Sequence, residues 1–171
     1  MKRLFIFITL FTIAAIAVQA DDFRINLIGG YKLPEGTAVK DIYGNNIVFG
    51  AGIDVFLSDS FSLSGEYLFD SDNAKTQVTK ENLDITIHHI HLGGKYYAFE
   101  SSGIFFGAGG AFVSLDESAP FGDFDDTGFG FYLETGINFS MFLLKAQYEF
   151  AEIGDENAGG FSVLAGASFE L

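Results

Sequence analysis

The amino-acid sequence predicts an all-β protein, an eight-stranded antiparallel up-and-down transmembrane β-barrel. Three observations predict this fold class. Apolar residues recur at every second position in eight segments of the chain. The connections between these segments are alternately long and short. The two faces of the segments also differ in kind, because one is bulky and apolar while the other is rich in glycine, serine and charge. Alternation with period two is the signature of strands rather than helices.

The first 20 residues, MKRLFIFITLFTIAAIAVQA, have the organisation of a secretory signal peptide. Lys2 and Arg3 precede an apolar run, and Val18-Gln19-Ala20 provides a small-x-small cleavage site. A retained membrane anchor is the alternative, although the apolar run is short for a span. We therefore expect a signal peptide at residues 1–20 and one barrel domain at residues 21–171.

The composition after the signal peptide narrows the classes of function. The remaining chain has 23 acidic residues against seven Lys and Arg, a formal charge of −16. Nucleic acid is therefore not an expected partner, because its phosphates would be repelled. The chain has no Cys, which excludes disulfides, and it has 21 Phe and 21 Gly but only 2 Pro. No apolar run long enough for a membrane helix follows residue 20, and the composition fits many strands.

The alternation can be followed strand by strand. In the first three segments the apolar face begins at Phe23, Ile47 and Phe61. The fourth segment changes phase between Ile87 and Ile90, which predicts a β-bulge around His88-His89. The fifth has Phe on both faces, so its orientation is left open. The sixth, seventh and eighth alternate regularly. The eight predicted strands cover residues 23–33, 46–57, 61–69, 83–99, 103–113, 127–139, 142–153 and 159–171.

The connections predict how the strands are joined. Short turns are expected at residues 58–60, 100–102 and 140–141. Longer polar loops are expected at residues 34–45, 70–82, 114–126 and 153–159. This regular asymmetry is typical of an up-and-down meander with short turns at one end and long loops at the other.

Size and charge indicate which face points outward. Eight strands enclose a space that side chains only just fill, so the face with Phe, Tyr, Leu and Ile is too bulky to lie inside. The apolar face is therefore expected to meet a non-aqueous solvent. Strands of about 10 residues, tilted near 40°, rise about 25 Å, which matches the apolar band of an outer membrane.

The last residues, GGFSVLAGASFEL, form the eighth predicted strand, which would pair with the first strand and close the sheet. At this point the chain resembles the small outer-membrane β-barrel proteins of Gram-negative bacteria, the OmpA/OmpX-like group of the porin family. The resemblance implies a location in the cell outer membrane, with outer-membrane lipid and lipopolysaccharide as surroundings. It also implies that Gly166, Phe169 and Leu171 form the signal read by the barrel-assembly machinery, although the family usually ends in Phe or Trp.

Charged residues on the inward face are the main candidate constellation. Unpaired charges in a narrow lumen are costly, so we expect these side chains to pair with one another. The predicted network contains Arg24, Asp54, Glu66, Lys95, Glu134, Lys145 and Glu149. An ion-paired plug and a narrow polar pore both remain open readings of this set.

The sequence HHIH contains all three histidines, His88, His89 and His91. His89 and His91 share a face at a spacing that can serve a metal, but no Cys or further His completes a site, and none is predicted. The histidines are expected near the outer rim of the fourth strand. Histidine with serine and an acid also raises a lipid-modifying enzyme as an alternative. Because Ser62 and Ser64 are expected on the lumen face, away from lipid, no catalytic residue is predicted.

The acidic segment DESAPFGDFDDTG at residues 116–128 holds five acids, with Phe121 and Phe124 among them. These two aromatic residues are candidates for contact with an unidentified extracellular partner. Weak Ca²⁺ binding is an alternative, although the segment lacks the spacing of an EF-hand. The sequence as a whole predicts an integral outer-membrane barrel with a structural or surface-interaction role and no cofactor. A narrow porin-like channel is the alternative, and a lipid-modifying enzyme or a soluble lipocalin-like binder is less favoured.

Overall fold

The structure is a computed structural model that describes residues 22–35, 46–75, 82–98, 103–119, 122–154 and 156–171. The predicted signal peptide at residues 1–20 lies outside the described residues. Eight long strands and one two-residue strand account for almost all of the described chain. The strands are β1 (Phe23–Pro34), β2 (Asn46–Ser58), β3 (Phe61–Lys75), β4 (Asn82–Tyr97), β5 (Ile104–Ala119), β6 (Gly122–Phe139), β7 (Phe142–Ile153), β8 (Glu156–Asn157) and β9 (Gly160–Glu170). In these ranges, no helix has the length and apolar character needed to span a membrane.

The strands form one closed antiparallel barrel. Each of β1 to β6 pairs with the next strand in the chain, β7 pairs with β9, and β9 pairs with β1. In the part of the chain that the structure describes, the short strand β8 pairs with β7. The predicted fold class, an eight-stranded up-and-down antiparallel barrel, is therefore confirmed.

The strand registers set the tilt of the barrel. A path that starts at Arg24 and moves to the paired residue on each next strand returns to β1 at Pro34, ten residues further along. A stagger of ten residues around eight strands corresponds to a strand tilt of about 40°. The interior of such a barrel is just wide enough to be filled by side chains.

The bulky apolar side chains lie on the outside of the barrel, as predicted. Phe49 and Phe131 are 54% and 52% exposed, whereas Asp54 and Glu134 are 1% and 6% exposed. Stacked aromatic rings such as Phe131 and Phe150, with centroids 4.5 Å apart, lie on this outer face. This is the reverse of a soluble lipocalin-type calyx, which would turn its apolar face inward, so that alternative is wrong.

The two ends of the barrel differ. We call the turn end the one that holds the Ser140-Met141 turn and the Asp59-Ser60 turn. The start of β1 and the residue that follows β9 meet there, because the Leu171 N–H donates to the Phe23 carbonyl at 3.0 Å. We call the opposite end the loop end.

The strands at the loop end are longer than predicted. The predicted loop 70–82 is wrong in part, because β3 continues to Lys75 and β4 begins at Asn82. The predicted loop 114–126 is wrong in the same way, since β5 reaches Ala119 and β6 begins at Gly122. Backbone pairing continues there without an apolar face, and alternation of apolar residues therefore gave no signal for it.

The predicted bulge at His88-His89 is also wrong. The pairing of β4 with β3 and with β5 runs without a shift through both histidines. Ile87 points into the lumen beside Val113, where the interior is apolar, and this apolar inward residue produced the change of phase. A register shift occurs instead between Phe56 and Ser58, at the turn end of β2. The open orientation of β5 is resolved, with Phe105 buried inside and Phe106 exposed outside.

Candidate functional site

The interior of the barrel is arranged in layers, beginning with an aromatic layer at the turn end. Tyr97 and Phe105 pack there with ring centroids 5.7 Å apart, and Phe56 packs against Tyr97 at 5.4 Å. The Arg24 guanidinium lies 4.9 Å from the Phe56 ring centroid and pairs with Glu170. Arg24 is thus at the mouth of the barrel, stacked on aromatic rings, and not among the other predicted network residues.

The lower ionic layer follows above the aromatic layer. It consists of Asp54, Glu66, Lys95, Glu134 and Lys145, which come from five different strands. Lys95 Nζ lies 2.7 Å from Asp54 Oδ1 and 3.8 Å from Glu134 Oε1. Lys145 Nζ lies 2.8 Å from Glu134 Oε2 and 2.5 Å from Glu66 Oε2. Each ammonium group therefore joins two carboxylates across the lumen.

Neutral side chains extend the lower ionic layer towards the seam between β1 and β9. Asn26 Nδ2 donates to Asp54 Oδ2 at 2.9 Å, and Ser168 Oγ donates to Asn26 Oδ1 at 2.6 Å. Asn26 is 1% exposed, so these bonds are shielded from solvent. A buried polar network of this kind is rigid when its members are satisfied.

The upper ionic layer lies closer to the loop end. It consists of Lys32, His89, His91 and Glu149, which are all buried. Glu149 is its centre, because Oε2 lies 2.9 Å from His91 Nε2 and Oε1 lies 3.1 Å from His89 Nδ1. Lys32 Nζ lies 3.7 Å from Glu149 Oε1 and 3.3 Å from His89 Nε2.

The two ionic layers are connected through His91. Its Nδ1 atom lies 3.3 Å from Glu66 Oε1 in the lower layer. Gln147 bridges in a similar way, because its Oε1 accepts from Lys145 Nζ at 3.0 Å and its Nε2 lies 3.0 Å from His91 Nδ1. The polar interior therefore forms one continuous network from Asp54 to Lys32.

Apolar side chains close the network on the side of the loop end. Ile87, Val113, Ala151 and Ala158 form a buried cluster, with Leu115 and Ile153 packed against it. Lys32 Nζ also donates to the Ala158 carbonyl at 3.3 Å, which ties this cluster to the upper ionic layer. The charged residues are thus enclosed between an aromatic layer and an aliphatic one.

Sequence reasoning missed part of this site. The predicted network did not include Lys32, His89 and His91. His89 and His91 were expected at the outer rim, which is wrong, since each is 1% exposed and faces the lumen. Lys95 follows His91 and His89 in β4 at even spacings, so the three side chains share one face of an unbulged strand. Without the assumed bulge, the inward direction of Lys95 would have placed both histidines inside.

The third histidine, His88, does lie on the outer face. The Tyr67 hydroxyl and His88 Nδ1 are 2.6 Å apart, and His88 Nε2 lies 3.2 Å from Asp116 Oδ2. Ser62 and Ser64, considered above for a lipid-modifying site, point into the lumen and are buried there. They are therefore separated from His88 by the barrel wall.

The structure also places the residues of the predicted assembly signal. Phe169 points outward, and Leu171 lies at the turn end beside Phe23. Gly166 pairs with Ile28, and a Cβ atom on Gly166 would lie 2.0 Å from the Leu27 carbonyl oxygen, so β1 and β9 pack closely there. Of the predicted surface aromatics, Phe121 lies outside the described residues, and Phe124 lies in β6 opposite Glu117.

Comparisons with known proteins bear on the fold. No protein-family model and no curated protein sequence matches the chain. The chain is similar to Ail of Yersinia pestis in complex with the heparin analogue sucrose octasulfate, with a TM-score of 0.62 and 16% identity over 86% of this chain and 99% of Ail. It is similar to OprG of Pseudomonas aeruginosa, with a TM-score of 0.60 and 12% identity over 89% and 96% of the two chains.

Neisserial surface protein A is a further similar structure, with a TM-score of 0.59 and 10% identity over 88% of this chain and 96% of that one. Each similarity spans nearly the whole of the known chain, so the match covers a complete barrel and not a fragment of one. The predicted resemblance is confirmed at the level of the fold, and the chain has the fold of the small eight-stranded outer-membrane barrel proteins.

Proposed function

We propose that the protein is an integral outer-membrane barrel with a structural or surface-interaction role, whose lumen is closed by its own side chains. The observation that carries the proposal is the lower ionic layer. Lys145 joins Glu66 and Glu134 across the lumen, and Lys95 joins Asp54 and Glu134. Through these contacts the two ammonium groups connect side chains of five strands across the interior, where an open pore would hold water.

The outer surface supports a location in a membrane. Each of the eight long strands exposes large apolar side chains, and these include Phe49, Phe129 and Phe131. A water-exposed surface of this kind would promote association, whereas a bilayer stabilises it. The closed sheet also satisfies the strand backbone internally, as hydrocarbon requires.

The proposed orientation places the turn end in the periplasm and the loop end at the cell surface. Outer-membrane lipid and lipopolysaccharide would surround the apolar belt. The barrel-assembly machinery would insert the chain, and any extracellular partner would meet the loop end. Phe121 and Phe124 stay candidates for that contact, and Phe124 lies near the loop end of β6.

A lipid-modifying enzyme is the less supported class. His89 and His91 face the enclosed interior, as do Ser62 and Ser64, so none of the four reaches the lipid. Tyr67, His88 and Asp116 form a hydrogen-bonded chain on the outer face, but no serine considered for catalysis contacts them. We therefore assign no catalytic residue.

Single-channel recording of the refolded chain in planar bilayers tests the closed lumen. The wild-type protein is expected to insert without conductance steps. The double variant Glu134→Ala, Lys145→Ala is expected to conduct, because both removed side chains fill the middle of the lumen. Leu133→Ala, which changes an outward residue of the same strand as Glu134, serves as the control and is expected to stay closed. Regular conductance steps from the wild-type protein would support the narrow porin-like channel instead.

A further inference from the structure

The connection between β7 and β9 helps to close the lumen on the side of the loop end. Residues 157–159, which we call the cap segment, are held by backbone bonds, because the Ala158 and Gly159 N–H groups donate to the Ala151 carbonyl at 2.9 and 3.1 Å. Ala158 is buried in the aliphatic cluster with Val113. The cap segment therefore lies next to the upper ionic layer and covers it.

Lys32 fastens the cap segment from inside the lumen. Its Nζ atom donates to the Ala158 carbonyl at 3.3 Å. The same ammonium group lies 3.3 Å from His89 Nε2 and 3.7 Å from Glu149 Oε1. Lys32 is buried, so these protein groups take the place of water around its charge. A change that moves the Lys32 ammonium group therefore removes one of the bonds that hold the cap segment.

A neutral His89 is compatible with this arrangement. His89 Nδ1 lies 3.1 Å from Glu149 Oε1. An imidazole that carries its single proton on Nδ1 donates to Glu149 and keeps a lone pair on Nε2, which accepts from Lys32. The neutral form of His89 therefore satisfies both neighbours and leaves Lys32 bonded to the cap segment.

A protonated His89 is not compatible with it. A second proton, on Nε2, removes the acceptor and turns an N–H group and a positive charge towards Lys32 Nζ at 3.3 Å. Two positive charges at this distance in a buried site repel each other strongly. The carboxylates of Glu149 and Asp70 attract the imidazolium, at 3.1 Å from Nδ1 and 4.0 Å from Nε2. Protonation therefore favours displacement of Lys32 and not of His89.

The other elements around His89 add no further charge of either sign at contact distance in the described part of the chain. The titratable groups that face it are Lys32 from β1, Asp70 from β3, His91 from β4 and Glu149 from β7. The His91 ring centroid is 6.2 Å away, and the neighbour on β5 is the apolar Val113. Lys32 is thus the cation that responds most directly to a charge on His89.

We propose that Lys32 and His89 form a proton-operated latch, which holds the cap segment over the lumen while His89 is neutral and releases it when His89 is protonated. The proposal rests on the closed lumen proposed above. Histidine changes its charge near neutral pH, so the latch responds to mild acidification. The lower ionic layer does not include His89, and release of the cap segment is therefore expected to expose the upper part of the lumen without opening a pore.

Distances between two spin labels test the latch. The chain has no Cys, so Glu156→Cys on β8 and Ile47→Cys on β2 introduce the two labelling sites. The full chain after signal cleavage is refolded in detergent, labelled and frozen at about pH 7.5 and about pH 5, on either side of the range in which histidine titrates. Pulsed electron paramagnetic resonance is expected to give one narrow distance distribution at the higher pH and a second population at the lower pH.

Three variants in the labelled background identify the responsible groups. His89→Gln provides a neutral side chain that donates to Glu149 and accepts from Lys32, so it is expected to keep one distribution at both pH values. Lys32→Met is expected to lose the pH response, because the repelled charge is gone. His88→Gln is the matched control, since His88 adjoins His89 but lies on the outer face of β4, and it is expected to respond like the wild type.

The latch is overturned if the wild-type distribution is the same at both pH values, or if His89→Gln responds like the wild type. Should His89→Gln fail to refold, NMR of the wild type replaces it. The Ala158 amide signal is expected to shift with the same midpoint as the His89 ring signals, and different midpoints would also overturn the latch. Single-channel recording separates the two proposals. Conductance at about pH 7.5 contradicts the closed lumen, whereas a silent channel with unchanged label distances contradicts the latch alone.

Discussion

Glu66 and Lys145 meet across the lumen from β3 and β7, with a distance of 2.5 Å between Oε2 and Nζ. These two strands do not pair with each other, so the contact spans the interior and not the sheet. Lys145 also contacts Glu134, its neighbour on β6, at 2.8 Å. A single ammonium group therefore ties together opposite walls of the barrel, and this makes Lys145 the most informative position for testing the network.

Lys145→Met should lower the free energy of unfolding by about 3–5 kcal/mol, because it leaves buried carboxylates without their cation. Unfolding in urea, followed by circular dichroism or by gel mobility, measures the change. Leu144→Met, at the adjacent outward position, should change the free energy of unfolding by less than about 1.5 kcal/mol. Equal stability of Lys145→Met and the wild type would show that the lower ionic layer contributes nothing to holding the barrel together.

The double variant Glu134→Gln, Lys145→Met separates charge from packing. It removes one carboxylate along with the ammonium group and keeps the side-chain volumes nearly unchanged. We expect the double variant to be more stable than Lys145→Met alone, because fewer unpaired charges stay buried. The single variant Glu134→Gln completes the comparison. If the stability changes of Glu134→Gln and Lys145→Met sum to that of the double variant, a direct interaction between Glu134 and Lys145 is excluded.

Gly107 makes room for the lower ionic layer. A Cβ atom at this position would lie 2.6 Å from Glu134 Oε1 and 2.7 Å from Glu134 Cγ. Gly107→Ala should therefore displace Glu134 and lower the free energy of unfolding by about 1–3 kcal/mol. Gly110 offers a matched control on the same strand, since a Cβ atom there would meet nothing within 4 Å. Gly110→Ala should leave the unfolding midpoint unchanged or slightly raised, and a similar loss in both variants would contradict the role given to Gly107.

The sequence could predict the fold because the two faces of the strands differ so strongly. Phe129, Phe131 and Leu133 are separated by Gly130 and Tyr132, and the bulky residues could be assigned to the outside on volume alone. The identity of the inward charges followed from the same parity. Neither result needed the spatial positions of the strands.

The wrong predictions for β4 have a physical reason as well. The lumen contains apolar residues such as Ile87 and Val113 next to charged ones, so apolar character does not always mark the outer face. The inward Ile87 therefore produced a false change of phase in β4, and His89 and His91 were wrongly expected at the outer rim. Which inward charge meets which depends on the stagger of ten residues around the barrel, and a stagger cannot be read from any single strand.

The seam between the first and last strands suggests a prediction about assembly in cells. The Leu171 N–H donates to the Phe23 carbonyl at 3.0 Å, and this backbone contact does not depend on the Leu171 side chain. Leu171→Asp should therefore refold in detergent like the wild type. In cells it should reduce the folded fraction in the outer membrane, because the predicted assembly signal includes an apolar residue at position 171. Leu171→Phe is the control and should assemble at least as well as the wild type. A poor yield of Leu171→Asp both in cells and in detergent would point to lost stability and not to a lost signal.

The depth of an outward residue in the bilayer should determine how much a charge introduced there lowers the free energy of unfolding. Leu133 lies midway along the outer face of β6, whereas Phe139 lies at its turn end, and both are exposed on that face. In lipid vesicles, Leu133→Arg should lower the free energy of unfolding by about 2–4 kcal/mol, while Phe139→Arg should cost only about 0–1 kcal/mol. Urea titrations of both variants in the same vesicles measure the difference. The reason is that a charge near the bilayer midplane loses its hydration, whereas one near the interface keeps it. If both arginines cost the same small amount, the outer face of β6 would be in contact with water, and the proposed membrane location would be wrong.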